Sequence, residues 1–508
     1  MVDINSISFQ DDKTWRLIQS GNTAGVFQLE SELGQQWSSR IKPKNINELS
    51  ALIALIRPAC LESGMTETYS RIKSGSEDMK TFGDVDVDRI LLPTLGVLVY
   101  QEQLMKFGSE IAWKHIPYLE RLVMVDKLRK GVGKKDYKII GQLKDLFIDG
   151  FVTNNKPRQL GEQLFSIVES AGRYAFNDAH AKKYAIWSYR TAYLKANHPL
   201  DFYCVYMTYS KAKQKPKEEL RGLINEAKMR GFSVFPPSIK DSYPDFKVSN
   251  TDIVFGLSHI KQVGIKDSLL IVNNRPLTFY AFLVLTFDKT GECLRFPGTE
   301  SLIKSGACDC YGLSRTVMLD IVRCISELTP REIVFVLENI KGKDSIDEVI
   351  LAILDCADKV STKKRAILVK SEASSIKTDS IDANEWKALN ESELLGLSMT
   401  CTSVDSYMDI TESCCRDCFK INKNNNKIKK RVIAAITSSN ILITKKGNNP
   451  GQEMCQIGIC DSSGEIRVVC FPDTYAKNKH KIFQGAKCEF FLRGTGSGWS
   501  VESITVVP

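Results

Sequence analysis

The sequence predicts a multidomain α+β protein: a mostly helical first region, a mixed middle region and an all-β C-terminal region. Three observations carry this. Apolar residues recur at helical spacing through roughly the first 235 residues, as in Glu162 to Ala171 and Ser188 to Leu194. Pro236-Pro237 then marks a stiff junction. After the Asn- and Lys-rich tract from Lys420 to Arg431 the hydrophobic period switches to two.

A chain of 508 residues has room for two to four domains, each with its own core. Hydrophobic content of 43% and charged content of 25% are ordinary for globular protein. The formal charge of +9, from 69 basic and 60 acidic residues, suits a nucleic-acid partner without requiring one. The N-terminus lacks a basic segment followed by an apolar one, and the apolar run Leu277 to Phe287 is too short to cross a bilayer. The expectation is therefore a cytoplasmic protein with no membrane partner. Fifteen scattered cysteines read as reduced thiols, and Cys415-x-x-Cys418 lacks the second pair that a zinc knuckle needs.

Within the helical region, chemistry concentrates in a pair of segments. In Asp126-Lys-Leu-Arg-Lys-Gly-Val-Gly-Lys-Lys135, four cations (Arg129, Lys130, Lys134 and Lys135) surround two glycines, so charge and bare backbone can approach one polyanion. In Phe176-Asn-Asp-Ala-His-Ala-Lys-Lys-Tyr-Ala-Ile-Trp187, His180, Lys183, Tyr184 and Trp187 share one helix face. Cations beside aromatics suit a nucleotide, which needs charge for phosphates and a flat surface for its base. A solvated basic face is the plainer reading of the same residues.

Seven ordered blocks resemble the fingers region of the alpha subunit of bacterial DNA polymerase III, the C family of replicative polymerases. They are Gly25-Val-Phe-Gln-Leu-Glu-Ser31, Ala54-Leu-Ile-Arg-Pro58, Gly96-Val-Leu-Val-Tyr-Gln-Glu-Gln103, Leu128-Arg-Lys-Gly-Val-Gly-Lys-Lys135, Phe176-Asn-Asp-Ala-His-Ala181, Thr191-Ala-Tyr-Leu-Lys-Ala-Asn-His-Pro199 and Phe235-Pro-Pro-Ser-Ile239. The resemblance implies a fingers domain over 1–235, with Arg129, Lys130, Lys134 and Lys135 on the triphosphate of an incoming deoxynucleotide. It also implies that Asn177, His180 and Tyr184 line the nucleotide site.

Residues 236–396 are expected to form a duplex- and clamp-proximal domain. In it Phe255-Gly-Leu-Ser-His-Ile-Lys-Gln-Val-Gly264 resembles a helix–hairpin–helix, with Lys261, Gln262 and Gly264 at a turn that offers N–H groups to a DNA phosphate. Residues 397–431 read as a linker, and the resemblance implies an OB-fold over 432–508. Strands are expected at Val432 to Ile436, Gln456 to Cys460, Ile466 to Phe471 and Cys488 to Leu492, with Lys445, Lys446 and Arg467 facing DNA.

Template-directed addition needs two metal ions held by paired carboxylates. In the family these belong to the palm, which precedes the fingers, and Val2-Asp-Ile-Asn-Ser-Ile resembles the stretch just after it. Mg2+ is therefore expected on a separate palm-bearing chain, and catalysis in trans, as in a split polymerase of phage type. A non-catalytic DNA-binding or regulatory derivative is the alternative. Asp84-Val-Asp-Val-Asp88 imitates a metal site but reads as a solvated loop, and Gln142-Leu-Lys-Asp-Leu-Phe147 imitates a clamp-binding peptide but reads as a core stripe of Leu143, Leu146 and Phe147. A sliding clamp is a candidate partner, although no binding peptide is found between the hairpin and the OB-fold. Asp178 stands where the family usually has lysine, and Arg57-Pro-Ala-Cys60 replaces Arg-Pro-Gly-Pro.

Overall fold

The computed structural model describes residues 3–134, 136–171, 174–343, 345–359, 363–402, 404, 414–420, 428–444, 450–461, 463–495 and 498–507. The chain divides into two compact units, Met1–Phe202 and Tyr203–Pro508. The division falls before the Pro236-Pro237 junction expected from the sequence.

The first unit is helical and has two cores. The first core is built by α1 (Asp12–Ser20), α2 (Glu32–Ile41), α3 (Ile46–Leu55), α4 (Pro58–Glu62) and α5 (Met65–Lys73), and later by α11. The starts of α1, α2 and α3 are fixed by Asp11, Ser31 and Asn45, whose side chains accept from the backbone N–H three residues on. Apolar stripes then meet: Ile18, Val26, Leu29, Leu52 and Leu55 are fully buried with Tyr189 of α11. The second core joins α6 (Val85–Leu91), α7 (Gln101–Lys106), a π-helical turn at Phe107–Ala112, α8 (Tyr118–Lys134), α9 (Tyr137–Thr153) and α10 (Arg158–Ala171), around Trp113, Phe147, Phe151 and Phe165. Helix α11 (Asp178–Asn197) returns to the first core, and α12 (Pro199–Tyr209) contains the division.

The second unit opens with α13 (Pro216–Met229) and a three-stranded sheet of β1 (Val234–Phe235), β2 (Lys247–Ser249) and β3 (Asp252–Val254), in the order β1-β3-β2. Helices α14 (Ile265–Asn274), α15 (Phe279–Phe287), α16 (Phe296–Lys304), α17 (Arg315–Ser326), α18 (Pro330–Asn339), α19 (Ile346–Asp358), α20 (Lys363–Ser375) and α21 (Asn384–Leu395) follow. After α22 (Cys415–Lys420) comes a closed five-stranded barrel: β4 (Lys429–Ile443), β5 (Glu453–Asp461), β6 (Gly464–Cys470), β7 (Lys487–Thr495) and β8 (Gly498–Val506), ordered β4-β5-β6-β8-β7. Helix α23 (Pro472–Asn478) links β6 to β7. Closure removes the sheet edges, and one parallel pair, β6 with β8, completes the OB topology.

Four differences from the sequence expectations have physical causes. The fifth strand, β8, gives no clear period because Trp499, Ser500 and Val501 are buried in succession; a register shift between Phe491 and Leu492 on its partner breaks the alternation. Phe471 ends no strand, since Pro472 at the first helical position starts α23 there. The stretch expected to be a linker is structured at its end, where Lys429, Lys430 and Arg431 pair with Arg493, Leu492 and Phe491. Asp84, Asp86 and Asp88 form neither a loop nor a strand. Asp84 caps α6, Lys156 Nζ lies 2.6 Å from Asp84 and 3.0 Å from Asp86, and Asp88 accepts from Phe82 N–H. The hydrogen bond from Lys156 holds Asp86 below the usual carboxylate range.

Candidate nucleotide site and DNA-facing surfaces

The start of α11 is assembled by two strands of loop. Tyr100 and Phe176 form a parallel bridge, with Phe176 N–H donating to Val99 and Gln101 N–H to the Phe176 carbonyl. Gln103 fixes the first loop from within: its Oε1 accepts from Val99 and Tyr100 N–H, and its Nε2 donates to Ile90 and Thr94. Glu102 then reaches the helix start, accepting from Asn177 Nδ2 at 2.8 Å and from Asp178 N–H at 2.9 Å. Asn177 caps α11 by accepting from His180 N–H.

On that frame stands a column of rings. Arg57 Cζ lies 3.5 Å from the Phe176 centroid. The rings of Phe176 and His180 are 5.4 Å apart, His180 and Tyr184 4.1 Å, and Tyr184 and Phe27 5.2 Å. Helical spacing sets His180 beside Tyr184, and Phe176, held by its bridge to Tyr100 just before the cap, extends the column. His180 and Trp187 are exposed on this side, as is Lys183, whereas Lys182 follows Asp178 on another face of the helix. Burial lowers the Arg57 guanidinium from its ordinary value, which still leaves an arginine charged. Asp178 pairs with Lys182 at 2.8 Å, one turn on, while its Oδ1 is buried without a hydrogen-bond partner. The carboxylate at this position is thus paired within its own helix.

Arg129 and Lys130 are carried by α8, and both pair with Asp126, at 2.8 Å and 2.7 Å. The glycines between the cations do not form a phosphate loop, because they lie inside the helix. Gly131 serves packing: a Cβ there would meet Ile139 Cγ2 of α9 at 2.8 Å. Lys134 ends α8, and Lys135 lies outside the described residues. Among the described residues no hydrogen bond, ion pair or ring contact joins Arg129 or Lys130 to Asn177, His180 or Tyr184. On α9, Leu143 and Phe147 are core residues as expected, but Leu146 faces out and lends its carbonyl to Trp113 Nε1.

The second unit carries the hairpin. A 3₁₀ turn at Leu257–His259 leads into Gln262, whose φ of 72° is left-handed, and Gly264 opens α14. Three N–H groups of this turn are already used: Lys261 donates to Leu394, Val263 to Ile260 and Gly264 to Asp267. Only the first N–H groups of α14 follow without a partner of their own helix. Lys261 pairs with Glu393 at 2.8 Å. Arg295, which carries no signal in the sequence, also belongs here. Its guanidinium bonds the Gln262 carbonyl at 3.1 Å and Asp267 at 2.7 Å, placing an exposed cation at the turn.

Residues 1–155 match the model of the bacterial DNA polymerase III alpha subunit finger domain. Residues 231–318 match a helix-hairpin-helix motif. The DNA polymerase III subunit alpha of Aquifex aeolicus is 29% identical over 487 residues, which are 95% of this chain and 37% of that protein. That of Escherichia coli K12 is 27% identical over 493 residues, 94% of this chain and 39% of the relative. That of Campylobacter jejuni is 32% identical over 327 residues, 63% of this chain and 26% of the relative. The chain is thus similar over most of its length to DNA polymerase III alpha subunits, with a fingers match at residues 1–155 and a helix–hairpin–helix match at 231–318. It spans well under half the length of these relatives.

Within that family frame the hairpin rests on a buried histidine. His259 packs against Phe246 and Phe255, with Nε2 3.6 Å from Asp245 Oδ1. Burial, then the nearby Lys211 ammonium, push its pKa down to about 4, against a smaller opposing pull from Asp245. The unfolded value is near 6.5, so the folded state excludes a proton that the unfolded chain binds. Stability should be full above about pH 6.5 and fall as the pH drops towards 4, by up to about 3 kcal/mol. Urea melts across that window should show the loss, and His259→Leu should flatten it.

Of the cations expected on the C-family OB barrel, Lys445 and Lys446 lie outside the described residues, and Arg467 is exposed on β6. Cys415 and Cys418 are buried in the barrel core, and burial pushes both thiols up, Cys418 to about 12. Thiols buried in this way pack as small apolar groups. No helix among the described residues is long and apolar enough to cross a membrane.

Proposed function

We propose that this chain supplies the fingers, duplex-binding and OB portions of a DNA-directed DNA polymerase. It holds a deoxynucleoside triphosphate against a primer–template, while a palm on a separate chain joins the nucleotide to the primer. The column Arg57–Phe176–His180–Tyr184–Phe27 carries the proposal, because it sets ring faces and cations side by side on one rigid helix start. His180 and Tyr184 present surface to base and sugar, Arg57 presents charge, and Asn177 keeps the helix start in place. Arg129, Lys130, Lys134 and Lys135 would meet the triphosphate from α8. The hairpin would follow the duplex backbone through the start of α14 and Arg295, without reading sequence.

Two Mg2+ ions, held by the palm, would supply the charge that activates the primer hydroxyl and stabilises the leaving pyrophosphate. Asp84 and Asp86 are unsuited to that role here, since Lys156 bridges both and Arg89 lies 3.6 Å from Asp86. The site of action would be the cytoplasm of a bacterial cell or of a phage-infected host.

Trp187 is half exposed on the same helix side and reports on the site. Titration with a deoxynucleoside triphosphate should change its fluorescence in a saturable way, and Trp187→Phe should remove the change. A signal that survives Trp187→Phe would place the nucleotide elsewhere.

A further inference from the structure

OB barrels take single strands across their second and third strands, here β5 and β6. In this chain the turn between those strands is held by α13. Arg221 Nε lies 2.7 Å from Glu465, Asn225 exchanges hydrogen bonds of 2.7 Å and 2.6 Å with the Glu465 backbone, and a Cβ on Gly464 would lie 2.4 Å from Met229 Cε. That end of the usual face is occupied.

The side formed by β4 and β7 is composed differently. Along β7 the residues alternate: Phe490 and Leu492 are fully buried, while Phe491 and Arg493 point outward. Register sets Arg431 opposite Phe491 and Lys429 opposite Arg493. Arg431 Cζ is 6.0 Å from the Phe491 ring centroid, and Phe491 is 40% exposed. On its other flank Phe491 faces the small side chain of Ser503 on β8.

We propose that single-stranded DNA crosses this β4–β7 face, one base stacking on Phe491 and its flanking phosphates meeting Lys429, Arg431 and Arg493. An exposed phenylalanine amid three cations is the combination that sequence-tolerant single-strand sites use. The cations have local partners, Arg431 with Glu489, and both Lys429 (2.8 Å) and Arg493 (3.7 Å) with Glu502. Exposed pairs of this kind are weak and screened by salt. One carboxylate shared by two cations leaves charge for a phosphate.

The inference rests on the polymerase reading only for the choice of DNA as the strand. Its test is the anisotropy of labelled dT12 with the full chain, in the absence of triphosphate and palm chain. Failed primer extension therefore leaves it standing, and its own failure leaves the nucleotide site standing. Phe491→Leu keeps the apolar contact and removes the stack, and should weaken binding about tenfold at unchanged melting temperature. The triple variant Lys429→Gln, Arg431→Gln, Arg493→Gln should flatten the slope of log affinity against log salt by about 2. Wild-type affinity in Phe491→Leu, or an unaltered slope in the triple variant, would overturn the proposal. Should Phe491→Leu melt early, the slope of the triple variant decides alone.

Discussion

Glu391→Ala should destabilise the second unit by about 3–5 kcal/mol, the range for breaking a buried ion pair from one side. Arg315 and Glu391 are 1% and 0% exposed and lie 2.9 Å apart. Arg315 also bonds Asp309 at 2.6 Å and Thr400 at 3.2 Å. Burial works against its charge, yet the two carboxylates outweigh burial and hold its pKa above the ordinary value. Glu391 in turn accepts from Met399 and Thr400 N–H, tying the chain after α21 back to the start of α17. Removing the carboxylate leaves two backbone donors without their acceptor and the buried guanidinium with Asp309 as its one remaining carboxylate. Equilibrium unfolding in urea measures the loss. The double variant Arg315→Ala, Glu391→Ala should cost clearly less than the sum of the single ones, because both single variants remove the same buried ion pair.

Arg57→Ala should weaken use of the incoming nucleotide by roughly 10- to 150-fold, the equivalent of about 1.5–3 kcal/mol for a hydrogen bond to a charged group. The guanidinium is fixed over Phe176, so it meets a phosphate without first being ordered. Arg57→Lys should recover only a fraction of the loss, since an ammonium lacks the planar fork and stacks less well. Steady-state extension at varied triphosphate concentration separates the effect on KM from that on kcat. A contact made equally before and during reaction moves KM alone.

Much of this is legible in the residues. The spacing of His180, Lys183, Tyr184 and Trp187 marks the α11 face, because recurrence at three and four residues is a property of the helix itself. The switch to period two marks the barrel. What cannot be read depends on contacts distant in sequence. Arg57 lies far along the chain from Phe176, and Glu102 from Asn177 and Asp178, so neither spacing nor charge announces their meeting. The ordered block that contains Arg57 is the signal available for it. Asp178 looks in the sequence like a charge opposing a triphosphate, but its partner Lys182 sits at i+4 and is visible in principle. The glycines at 131 and 133 mislead because a glycine serves a phosphate loop and a tight helix crossing equally well, and only the approach of Ile139 to Gly131 decides.

Primer extension tests the central claim most directly, with this chain alone, with a candidate palm-bearing chain alone, and with both. The account predicts synthesis only in the mixture, reduced by Arg57→Ala through a higher triphosphate KM. Synthesis by this chain alone, or a mixture whose nucleotide use is indifferent to Arg57 and Tyr184, would contradict it.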